Sequence, residues 1–220
     1  MKKLRTTIGS LVIAAISGGI AGGVHARDFT VATWGGGYTD AQRAVYATDK
    51  DLIAVAYNPS KTCERVDGGY RLQLEGKTLD TLAMIELLER WVDRYPIVSL
   101  EDPLAEDDDQ GFAEITRRLG HAIQIIGDDY LTTSAARVAE AAGLQGCNSV
   151  LLKANQCGTL TELIAASHAG RTAGWNTIQS GRSGESEDIT LSHLAVGLKS
   201  DQIKVGSMTR SERTAKWNGV

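Results

Sequence analysis

Tyr95-Pro96-Ile97-Val98-Ser99-Leu100-Glu101-Asp102-Pro103-Leu104-Ala105-Glu106-Asp107-Asp108 is the stretch from which the fold can be read. Ile97 to Leu100 is a short β-branched and aliphatic run, closed by two carboxylates and a proline. An apolar run of that length between Pro96 and Pro103 predicts a strand buried on both faces. Glu101 and Asp102 then stand at its carboxyl end, where α/β folds keep their ligands.

The same design recurs along the chain. Before the quoted stretch, Leu52–Ala56 and Tyr70–Leu74 read as strands. Leu79, Leu82, Ile85, Leu88, Val92 and Tyr95 recur at steps of three or four, as on one face of a helix. Thr78 or Asp80 can cap that helix, and Pro96 closes it. After the stretch, strands are predicted at Ile123–Ile126, Ser149–Leu152, Trp175–Gln179 and Gln202–Val205. Helices between them cover Gln110–Leu119, Ala135–Ala142 and the segment from Thr159 to Ala173. Another follows Ser180, with Glu185, Glu187 and Asp188 in its first turn. Strands spaced by helices in this rhythm predict a parallel sheet, and so many units favour an α/β barrel of TIM type.

The bulk numbers exclude several classes. The chain has 220 residues, 42% of them hydrophobic, and a net charge of −4 without any basic stripe, so nucleic acid is not an expected partner. The three cysteines, Cys63, Cys147 and Cys157, lack CxxC spacing and read as free thiols. The four histidines do not cluster at zinc-ligand spacing.

The start of the chain reads differently. Lys2, Lys3 and Arg5 precede an apolar stretch from Ile8 to Ala21, and Val24-His25-Ala26 offers a small-residue cleavage site. That order predicts a secretory signal peptide over residues 1–26 rather than a stable membrane span. Residues 27–48 read as a short strand, a glycine turn at Gly35–Gly37 and a helical segment. Their sequence resembles the mature start of polyamine-type periplasmic solute-binding proteins. Residues 49–220 form the third predicted unit.

Charged residues collect at successive strand ends: Glu101, Asp128, Lys153, Arg182 and Lys204. In a barrel these point into one mouth, each from a different strand. Two carboxylates suit a hard cation such as Mg²⁺. Two lysines and an arginine suit an anionic, oxygen-rich substrate. A lysine crowded by other cations is favoured in its neutral form and can serve as a general base.

From about Gly69 to Asn218 the chain resembles enolase, phosphopyruvate hydratase, in the later part of its barrel. The stretches that carry the resemblance are Tyr95–Asp108, Gln124–Thr133 (QIIGDDYLTT), Asn148–Glu162 (NSVLLKANQCGTLTE), Ser180–Thr190 (SGRSGESEDIT) and Gln202–Asn218 (QIKVGSMTRSERTAKWN). The resemblance implies a Mg²⁺-dependent lyase of glycolysis that converts 2-phosphoglycerate, a small phosphorylated hydroxy acid, to phosphoenolpyruvate. It implies Glu101 and Asp128 as Mg²⁺ ligands and Lys153 as the base at carbon 2. Lys204 becomes the partner of the substrate carboxylate, and Arg182 and Ser183 the phosphate holders. A homodimer is the family's common state.

Three departures bear on activity. Asn58 stands where the family's third metal ligand is an Asp. Gly181 stands where the family has an active-site histidine. The family's amino-terminal domain, first barrel strands and acid glutamates have no counterpart. These departures predict weak turnover. Two other readings stay open, an inactive hybrid or fragment and an exported solute-binding protein. The enzyme family is cytoplasmic, whereas the leader predicts a periplasmic or secreted protein.

Overall fold

The computed structural model describes residues 12–16, 30–34, 55–58, 63–72, 76–182, 184–206 and 210–220. Of the segments read above, the leader apart from Val12–Ile16, the glycine turn Gly35–Gly37 and Ser183 lie outside the described residues. No helix among the described residues is long and apolar enough to cross a membrane.

The centre of the molecule is a curled arc of parallel strands. It runs from β7 (Ser99–Glu101) through β8 (Gln124–Gly127), β9 (Ser149–Leu152) and β10 (Asn176–Ser180) to β11 (Gln202–Lys204). β3 (Val55–Asn58) joins β7 in parallel, and β2 (Thr30–Trp34) joins β3 in parallel. β1 (Val12–Ile16) pairs antiparallel with both β2 and β11, so the strand order closes into a barrel. A separate antiparallel meander comprises β4 (Cys63–Val66), β5 (Gly69–Leu72) and β6 (Lys77–Leu79).

The helices among the described residues are α1 (Thr81–Arg94), α2 (Asp109–Leu119), α3 (Ala135–Gly143), α4 (Ala154–Cys157), α5 (Leu160–Thr172), α6 (Thr190–Gly197) and α7 (Ser211–Asn218). Their starts follow from local chemistry. Asp80 caps α1 by accepting from the Ala83 N–H at 2.8 Å, Asp108 caps α2, and Thr159 caps α5. Thr159 accepts from the Glu162 N–H at 3.2 Å and donates to Glu162 Oε2 at 2.8 Å. The strand–helix rhythm thus has the predicted order, with ends moved by one to three residues. The Ile97 N–H donates to the Tyr95 carbonyl at 2.7 Å, a tight turn after Pro96 that delays β7 to Ser99. One expectation is corrected. Glu185, Glu187 and Asp188 precede α6 instead of filling its first turn, because the loop after β10 runs to Ile189.

Burial separates two apolar layers. Met84, Ile85 and Leu88 of α1, Phe112 and Ile115 of α2, and Leu163 of α5 pack against Leu100, Ile125, Val150 and Leu152 of the strands. Phe112 stacks on Tyr130 with ring centroids 3.8 Å apart and planes 7° from parallel. Each such buried side chain contributes about 1.5–3 kcal/mol, and Phe112→Ala would cost roughly 3–5 kcal/mol. Ile126, Leu151 and Ile178 form a second cluster of their own. Strand alternation sends them to the opposite face from Ile125, Val150 and Leu152, into the barrel interior.

Candidate active site

Alternation with a period of two carries each strand from this inner layer to a charged end. Two residues beyond Ile126 comes Asp128, and two beyond Leu151 comes Lys153. On β7 and β11 the inward series ends in Glu101 and Lys204. Four of the five charges read from the sequence therefore share one face and one end of the arc. All four lie low in the mouth: Glu101, Asp128 and Lys153 are buried and Lys204 is half-buried.

They meet as two ion pairs. Lys153 Nζ donates to Asp128 Oδ1 at 2.6 Å and also to Oδ2. This links neighbouring strands. Lys204 Nζ donates to both carboxylate oxygens of Glu101. Here the partners come from β7 and β11, at opposite ends of the five-strand arc, so only the curl of the sheet brings them together. The parallel register of β3 with β7 matches Ala56 to Ser99 and Tyr57 to Leu100. One step further, the Asn58 backbone comes level with Glu101. Its side chain lies outside the described residues.

Arg182 is exposed, on the loop after β10. Its backbone is held on both sides. The Arg182 N–H donates to Glu185 Oε1 at 2.7 Å, and its carbonyl accepts from Arg213 Nη1 at 2.9 Å. The fully buried Lys216 adds bonds to the Ser186 carbonyl at 2.8 Å and to Glu185 Oε2 at 3.3 Å. Arg213 and Lys216 of α7 thus brace the Gly181–Ser186 loop. Sequence reading missed them, because nothing in the Ser211–Asn218 pattern says that its cations turn inward.

Asp102, read only as a carboxylate at the strand end, and Thr133, not singled out, also gain a place here. Asp102 is buried and adopts φ 41°. Burial, then the charge of Asp128, and less strongly that of Glu101, push its carboxyl up to about 7, against two backbone N–H bonds that pull it down. Thr133, at φ 53°, accepts from the Lys153 N–H at 3.0 Å and donates to Gln156 Oε1 at 2.6 Å. Non-glycine residues in the left-handed region cost energy and tend to gather at functional sites. Asp102, Asp128 and Asp129 present oxygens within 4.8 Å of one another, a group that could hold a metal ion.

Comparison with known proteins gives the family. The family described as "Enolase, C-terminal TIM barrel domain" matches residues 38–220. The chain belongs to the enolase family. It is 46% identical over 177 residues to "Enolase 1" of Methylococcus capsulatus, covering 80% of this chain and 42% of that protein. It is 45% identical over 178 residues to "Enolase 1" of Desulfitobacterium hafniense, covering 80% of this chain and 41% of that protein. The chain therefore spans about two fifths of the length of these curated enolases. The family match begins at residue 38, within the segment that sequence reading set apart as 27–48.

Proposed function

We propose that this chain carries the proton-abstracting and cation-holding part of an enolase site, acting on 2-phosphoglycerate to give phosphoenolpyruvate and water. The observation that carries the reading is the facing of two carboxylate–lysine pairs, Glu101–Lys204 and Asp128–Lys153, across one barrel mouth.

The donor set fits a magnesium-type ion. Glu101 and Asp128 are buried oxygen donors whose partners are ammonium groups on flexible stems, able to swing away, and Asn58 is level with Glu101 on the adjoining strand. A bound Mg²⁺ would supply fixed positive charge for the carboxylate on which electrons accumulate. Lys153, free of Asp128, takes the proton from carbon 2 at Nζ. The C–H electron pair forms the double bond to carbon 3 as the carbon 3–oxygen bond breaks, and the departing hydroxide takes its proton from solvent to leave as water. Lys204, kept as an ammonium, faces the substrate carboxylate and binds it most tightly when its charge is greatest. Arg182 and Ser183 receive the phosphate, Arg182 from a loop braced by Arg213 and Lys216.

Asn58 brings no charge to the metal, and Gly181 brings no imidazole, so turnover is expected well below that of a full-length relative. Following phosphoenolpyruvate absorbance with the full chain tests this. Slow, Mg²⁺-dependent turnover that disappears in Lys153→Ala is expected. Absence of both turnover and Mg²⁺ binding would overturn the reading.

A further inference from the structure

Asp102 follows Glu101 directly, yet alternation cannot send both side chains into the mouth. The left-handed backbone at Asp102, φ 41°, turns its carboxylate sideways toward the end of β8. There Oδ1 accepts from the Asp128 N–H at 2.8 Å and Oδ2 accepts from the Asp129 N–H at 2.8 Å. The Asp102 N–H donates to the Ile126 carbonyl at 2.9 Å. One residue therefore grips the β8 terminus at three backbone sites, the Ile126 carbonyl and the Asp128 and Asp129 amides, which bracket Asp128. With only 2% of its surface exposed, it does so out of water, where hydrogen bonds are strongest.

This use of both oxygens bears on the acidic trio at the mouth. Asp102 spends its carboxylate on two amides, while Asp128 spends its own on an exchangeable ammonium. We infer that Asp102 is a positioning residue that fixes Asp128 for cation binding, and is not itself a ligand. The inference rests on the functional reading above. Partners that orient metal ligands typically change affinity by about 10–100-fold when removed.

Two variants separate positioning from mere support of the turn. Asp102→Asn keeps the shape but sets an amide N–H against a backbone N–H. Asp102→Gly removes the carboxylate and also the left-handed strain, since glycine adopts this φ freely. Calorimetric titration of the full chain with Mg²⁺ alone, beside thermal melts, reads affinity apart from stability. We expect Asp102→Gly to stay folded with a lowered melting temperature, the relief of backbone strain offsetting part of the two lost bonds, while binding Mg²⁺ about 10–100-fold more weakly, and Asp102→Asn to lose affinity as well. Parent-like affinity in Asp102→Gly overturns the inference while leaving the functional reading intact. Loss of fold in both variants makes the clamp purely structural and also overturns it. A parent chain that binds no Mg²⁺ overturns the functional reading, and this inference with it.

Discussion

Asp128 and Asp108 are both buried carboxylates at the carboxyl side of the barrel arc, and they are put to opposite uses. Asp108 accepts from the Tyr70 hydroxyl at 2.6 Å, the Thr81 hydroxyl at 2.7 Å and the Gly111 N–H at 3.0 Å. These donors come from the β4–β6 meander, α1 and α2, so one side chain ties three elements together and caps a helix. Asp128 is held at its carboxylate by Lys153 Nζ. Burial is nearly equal; the partners differ. Neutral, fixed donors hydrogen-bonded to Asp108, with Arg65 Nη1 standing off at 3.7 Å, mark a carboxylate that holds the fold, whereas a long cationic side chain bonded to both oxygens of Asp128 marks one that can be released to a ligand.

The sharpest way to break that contrast is to remove each cation or anion in turn. Lys153→Ala should lower turnover of 2-phosphoglycerate by about 10²–10⁴-fold, the usual share of a general base, in a chain that stays folded with Mg²⁺ replacing the lost ammonium beside Asp128. Rate and melting curve are to be measured on the same sample. If turnover persists, Lys153 belongs with the structural group.

Asp108→Ala should do the reverse. It leaves Tyr70, Thr81 and Gly111 without their acceptor and removes the cap of α2, at a cost of about 2–4 kcal/mol in urea unfolding, with Mg²⁺ affinity retained. Acid makes the same point more gently. Burial pulls the Asp108 carboxyl up, but the bonds from Tyr70, Thr81 and Gly111 and the charge of Arg65 outweigh it and set it below the ordinary range. A folded value below the unfolded one means that Asp108 stabilises fully above the unfolded value of about 3.9. That contribution is lost as pH falls through the folded value. Melts of Asp108→Asn should therefore fall less steeply below about pH 4 than those of the parent chain.

Much of this was legible in the sequence because it depends on short-range chemistry. Apolar runs ended by Glu101, Asp128, Lys153 and Lys204 announce strand ends, and alternation alone puts these four on one face. The Asp80 cap was equally local. What could not be read depends on contacts over long separations. The Glu101–Lys204 pair is 103 residues apart and exists only because the sheet curls. Tyr70–Asp108 spans 38 residues, and nothing within the acidic run Glu106–Asp108 marks Asp108 as the carboxylate that turns inward. The inward turn of Arg213 and Lys216 depends on a loop whose path the sequence does not state.

Glu185 lies between the two uses of a carboxylate, and Gly181 beside it gives the smallest expected effect. Glu185 Oε1 accepts from the Arg182 N–H, Oε2 pairs with Lys216, and a Cβ built at Gly181 would stand 3.1 Å from Oε1 and 3.2 Å from Leu191 Cδ1. The position is closed by neighbours rather than by backbone strain. A side chain there must push Glu185 off its two partners or shift Leu191. Gly181→Ala should cost about 1 kcal/mol, the low end of overpacking. In a chain already carrying Glu185→Ala, the same substitution should cost almost nothing, so the two changes fall short of additivity in a double-mutant cycle. An additive cycle would assign the space to Leu191. Gly181→His would then be the wrong way to restore an imidazole to this mouth unless α6 were repacked as well.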